Sequence, residues 1–87
     1  MADLMEVLYS YAQDYMLREI LAKRLIALRS ERKLSRREVA ASTGMTERTY
    51  QRYENAERDP NAPALLALAD YYRVSADYLL GRTDEPR

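Results

Sequence analysis

Glu47, Arg48, Gln51 and Arg52 lie close together in an 87-residue chain, directly after Thr46. Thr is a residue type that caps helix starts, and on a helix beginning there side chains three and four apart share a face. Arg48 and Arg52 then stand on one outward face. Each guanidinium there can span O6 and N7 of a guanine, and Gln51 can pair with adenine. Taken alone, the same side chains also fit an ordinary solvated helix surface. Tyr50 and Tyr53 fall on the other side and read as packing residues rather than base-stacking groups.

Composition excludes much else. There is no His and no Cys, which removes the side chains behind most zinc, copper, iron-sulfur and haem ligation, Cys nucleophiles and the Ser-His pair. No nucleophile has a visible base, so the chain reads as not an enzyme, without metal or cofactor. No cationic start precedes an apolar run, so no secretory signal is visible. Uncharged stretches such as Asn61 to Ala69 are far shorter than the ~20 apolar residues of a membrane helix. The expectation is a soluble cytoplasmic protein that does not engage membranes.

Fourteen bases and fourteen acids cancel, yet they are segregated. Residues 1–17 hold three acids (Asp3, Glu6, Asp14) and no base; residues 18–52 hold ten bases against four acids, net +6; residues 53–87 are net −3. A cationic band suits phosphate, and acidic flanks weaken non-specific adhesion.

The elements that must position these residues are helices. The length allows one domain, 47% apolar and 32% charged residues are a globular composition, and no window alternates at period two as a strand would. Asp3 and Glu6 have capping-box spacing, ahead of Leu4, Leu8, Tyr11 and Tyr15 at intervals of four, three and four. Leu17, Leu21, Leu25 and Leu28 form a second stripe. With no breaker between the stripes, one long helix and two with a bend near Asp14 are both open. Ser35 to Glu38 is a capping box for a helix ended by Gly44. Thr46 caps the next, Asn61 one from Ala62 to Tyr72 with Pro63 in its first turn, and Ser75 a short one closed by Gly81. Residues 83–87 are expected to fray.

From Arg24 to Arg82 the chain resembles the Xre family of helix-turn-helix regulators, which includes the lambda-type repressors and Cro. Leu34 to Gly44 reads L-S-x-x-E-V-A-x-x-T-G, followed by Tyr53-Glu54-Asn55, Pro60, Leu65 to Ala69 with Asp70, and Val74-Ser75-x-Asp77-Tyr78-Leu79-Leu80-Gly81. The resemblance implies an all-α fold: a compact five-helix repressor-like DNA-binding domain at residues 20–82, here with an additional amphipathic helix at residues 1–19 and the short tail 83–87. It makes the helix from Thr46 the recognition helix in the major groove, with Glu47, Arg48, Gln51 and Arg52 as base readers. Glu47 takes a foremost reading position, where a carboxylate repels phosphate but accepts from cytosine N4. Lys33, Ser35, Arg36, Arg37 and Thr46 fall at backbone-contacting positions, and Arg29 with Glu54 matches a structural ion pair.

Besides Glu47, two further positions depart from the pattern. Lys33 and Ala56 stand where many relatives have glycine, and at the second the left-handed role is expected to pass to Asn55 or to be lost. The expected partner is double-stranded DNA carrying a short palindromic operator, bound by a homodimer with recognition helices one turn, about 34 Å, apart, and the expected function is sequence-specific transcriptional regulation, as a repressor. Residues 1–20 either fold back or supply the dimer contact, the reading favoured here. The rival function is a protein-interaction module of the same fold: an antitoxin, antirepressor or adaptor.

Overall fold

A computed structural model describes residues 3–87, the side chains of Ser10 and Tyr11 excepted; Tyr11's place in the first stripe therefore lies outside the described residues. The described chain is all-α, with five helices and no strand: α1 Leu4–Glu31, α2 Arg36–Thr43, α3 Glu47–Glu54, α4 Ala62–Tyr72 and α5 Ala76–Leu79. Each begins at a residue whose side chain accepts from a backbone N–H of its first turn: Asp3, Ser35, Thr46, Asn61 and Ser75. Ser35 and Glu38 complete a reciprocal capping box, which satisfies two helix-end donors at once.

Between the two open readings of the amino-terminal region, the structure gives one helix. Neither glycine nor proline occurs between Leu4 and Glu31, and α1 runs unbroken for 28 residues. At 1.5 Å per residue it is about 42 Å long, against a longest molecular extent of 45 Å. The amino-terminal stripe is thus the first half of α1, and an unbroken helix cannot fold back on its own domain.

The second half of α1 supplies Leu21, Leu25 and Leu28 to a core completed by Val39 and Ala40 of α2, Tyr50 and Tyr53 of α3, Leu68, Ala69 and Tyr72 of α4, Val74, and Leu79 of α5. Burying each large side chain is worth about 1.5–3 kcal/mol, so this cluster, rather than the propensity of such short helices, holds α2 and α3 in place.

Left-handed backbone ends several helices. Gly44 (φ 72°) closes α2. Gly81 (φ 78°) follows α5, where an added Cβ would lie 2.7 Å from Ile20 Cγ2. Lys33 (φ 55°) and Ala56 (φ 58°) adopt the same conformation with a side chain. Asn55 stays at φ −91°, so the left-handed role after α3 is neither passed to it nor lost: Ala56 takes it, because the chain must turn there to let Glu57 N donate to Arg52 O at 2.9 Å.

The tail, expected to fray, has specific partners. Arg24 donates to the carbonyls of Tyr78 and Thr83 and stacks over the Tyr78 ring, Ser75 N donates to Pro86 O at 2.7 Å, and Arg87 Nε donates to Arg73 O.

Candidate nucleic-acid interface

The interface is built by α2, the turn at Gly44 and Met45, and α3. Thr46 Oγ1 accepts from Thr49 N at 3.1 Å and hydrogen-bonds to Thr49 Oγ1 at 2.9 Å, fixing where α3 begins. From there the 3.6-residue period sends Tyr50, Tyr53 and Glu54 inward. Glu47, Arg48 and Gln51 are exposed, and Arg52 is half-buried beside them. Arg48, Gln51 and Arg52, with Asn55 and Glu57, line one open polar hollow. Those last two residues are not among the base-reading set that the sequence suggests, although Asn55 stands four after Gln51, the spacing that shares a helix face.

Behind α3 lies a charged anchor. Glu54 is the buried charged residue of the described chain. Its carboxylate accepts from Arg29 Nε at 2.7 Å and Nη2 at 3.0 Å, and from Arg36 Nε at 3.1 Å. Arg29 Nη1 also donates to Leu34 O at 3.1 Å, so one guanidinium joins the end of α1, the turn before α2 and the end of α3. Burial alone would raise the Glu54 carboxyl; hydrogen bonding from Arg29, the Tyr50 hydroxyl and Arg36 outweighs it and holds the group below its ordinary value. Next to this pair the hydroxyls of Tyr50 and Tyr72 meet at 2.9 Å, tying α3 to α4. Burial pushes both phenols above the usual tyrosine range, so each stays neutral.

The structure divides the cationic band. Arg18 pairs with Asp59, Arg24 with the tail, Arg29 and Arg36 with Glu54, and Arg32 with the Tyr72 carbonyl at 2.6 Å. Arg36, placed by resemblance at the nucleic-acid backbone, thus gives its Nε to an internal carboxylate, while its side chain remains 40% exposed. Lys33, Arg37, Arg48 and Arg52 make no salt bridge among the described residues. They belong to the ends and outer faces of α2 and α3, where Ser35 and Thr46 are exposed as well. These four cations thus lie on α2, α3 and the turn before α2, beside the amide-rich start of α2.

Two short capped helices joined through a left-handed glycine, the second presenting a polar face, define a helix-turn-helix protein, and the chain belongs to the helix-turn-helix domain family, whose model matches residues 20–80. It is 39% identical over 64 residues to the uncharacterized HTH-type transcriptional regulator YobD of Bacillus subtilis, an alignment covering 74% of this chain and 57% of that protein. It is 36% identical over 64 residues to the HTH-type transcriptional regulator ImmR of the same organism, covering 74% and 50%. With the regulator AnsR it shares 39% identity over 59 residues, covering 68% and 51%. The chain spans about half the length of the curated relatives it matches. No solved structure matches it, and no described helix is long and apolar enough to cross a membrane.

Proposed function

We propose that the chain is a sequence-specific double-stranded DNA-binding protein of the cytoplasm that regulates transcription, as a repressor, by occupying a short palindromic operator. In this reading α3 enters the major groove. Glu47, Arg48, Gln51 and Arg52 read base edges, while Lys33, Arg37, Thr46, the outward part of Arg36 and the capped start of α2 at Ser35 hold phosphates. Arg29 and Glu54 keep α3 at a fixed height above the turn. Two copies assemble through the first half of α1. The domain boundaries follow the same logic: residues 1–19 join copies, residues 20–82 bind DNA, and residues 83–87 brace the domain.

One observation carries the reading: Arg48, Gln51 and Arg52 of α3 line one open polar hollow, whereas Arg18, Arg24, Arg29 and Arg32 are held by internal partners. The curated relatives bear names of transcriptional regulators, which agrees with it. Titrating a labelled duplex at two salt concentrations tests it. Binding limited by several phosphate contacts weakens about 1000-fold or more between roughly 50 and 200 mM salt. A chain that shows no duplex affinity even at the lower concentration would instead favour the protein-interaction reading.

A further inference from the structure

The first half of α1 carries large apolar side chains that its own domain leaves uncovered: Leu4 is 70% exposed, Leu8 54% and Tyr15 62%. Positions 4, 8, 11 and 15 repeat at intervals of four, three and four, the seam of a coiled coil. The same repeat continues through Arg18, Ala22 and Leu25, but there the domain has already claimed it. Arg18 is clasped by Asp59 at 2.8 and 3.1 Å, and Ala22 and Leu25 are buried at 5% and 0% exposure. The open seam thus has two ends: the helix start and the Arg18 clasp.

Resting on the dimeric reading above, we propose that this seam pairs with that of a second copy in antiparallel orientation, with position 4 opposite position 15 and position 8 opposite position 11. Three features select this arrangement. The first is steric. In a parallel pair both domains sit at the same level on the seam side, where each already covers its own Ala22 and Leu25, and they collide; the antiparallel pair sends them to opposite ends. The second is electrostatic. In a parallel pair Asp14 flanks the seam opposite Glu19 of the second copy, a like-charge contact made twice. In the antiparallel pair Asp14 faces Val7, and Asp3 and Glu6 lie off the seam, so the net −3 of residues 1–17 does not oppose association at the contact. The third is register. Sliding the antiparallel pair one heptad further would put Leu4 against the buried Ala22 of the other copy, so the overlap stops at position 15.

A four-layer seam buries on the order of 1,000 Å² in total, the lower limit for a specific interface, so the free dimer is weak and DNA completes its assembly. The arrangement also sets the two Arg29–Glu54 anchors about 60 Å apart along the helix axis.

The chain has no cysteine of its own, so introduced thiols report pairing directly. Leu4→Cys and Tyr15→Cys alter exposed side chains outside the core, and circular dichroism verifies that both variants fold. Mixed, reduced and then oxidised without DNA, they should form Leu4→Cys to Tyr15→Cys disulfides, whose Cα atoms must come within about 7 Å. Leu4→Cys alone should not cross-link, because in the antiparallel pair those positions lie about 16 Å apart. Dimers of Leu4→Cys alone would overturn the orientation, and the absence of any cross-link at high micromolar concentration would overturn self-pairing through this seam. Neither result depends on DNA affinity, which the salt titration reads separately.

Discussion

Arg29 and Glu54 face each other fork to fork, with hydrogen bonds of 2.7 and 3.0 Å, and the Glu54 side chain has no solvent exposure. The pair joins the end of the long helix to the end of α3, so the height and tilt of the outward face depend on a buried charge. Breaking such a pair from one side leaves the other charge uncompensated.

Glu54→Gln should therefore destabilise the fold by about 3 kcal/mol. It should also change the pH dependence. A carboxyl held below its ordinary value contributes stability that is fully present above the unfolded-chain value, about 4.3 for glutamate, and lost as pH falls through the lower folded value. Thermal unfolding followed by circular dichroism from about pH 7 to about pH 3 should show stability falling below about pH 4.3 in the parent and a flatter acid limb in the variant.

Tyr50 and Tyr72 share a buried hydroxyl contact of 2.9 Å. Tyr50→Phe strands the Tyr72 hydroxyl and takes a donor from Glu54, and should cost about 1–3 kcal/mol, whereas Tyr72→Phe leaves the Tyr50 hydroxyl its bond to Glu54 and should cost about 0.5–1.5 kcal/mol. The double substitution removes both polar groups and should cost clearly less than the sum of the two, a coupling that denaturant titration of the four proteins would measure.

Ala56 holds φ 58° where a side chain is unfavourable. Ala56→Gly should raise stability by roughly 0.5–1 kcal/mol, a melting temperature higher by about 4 °C for a domain of this size. Unchanged duplex affinity alongside that gain would place the effect in the turn rather than in the interface.

Arg48→Ala and Lys33→Ala should separate two kinds of contact. The first should cost about 1–3 kcal/mol on the preferred sequence and relax selection at one base position, whereas the second should weaken all duplexes alike and reduce the salt slope by about one. Competition binding over a panel of duplexes distinguishes them. If Glu47→Ala leaves the preferred sequence unchanged, the reading role of that carboxylate is wrong.

Local chemistry made much of this legible in advance. Ser35, Thr46, Asn61 and Ser75 each stand at a helix start because a short polar side chain there satisfies a backbone donor, an effect contained within three or four residues. The outward set on α3 follows from helical period once Thr46 fixes the start. The rest depends on contacts remote in sequence. Nothing near Arg24 or Arg32 indicates that their partners lie at Thr83 and Tyr72, or that Arg36 turns its Nε to Glu54. The turn at Ala56 was misread because the left-handed conformation costs a side chain only about 1–2 kcal/mol, less than the core contacts that require it. The continuity of α1 stayed open because Asp14 is of a type that caps helix starts, while no glycine or proline around it breaks the helix.

Selection of bound duplexes from a random pool, run with the parent chain and with Arg48→Ala and Arg52→Ala, bears on whether α3 reads DNA. Enrichment of a twofold-symmetric sequence by the parent, with each variant losing selection at its own position in both half-sites, is the expected result. A pool that remains unenriched with the parent, or an enriched sequence that neither substitution alters, would contradict it.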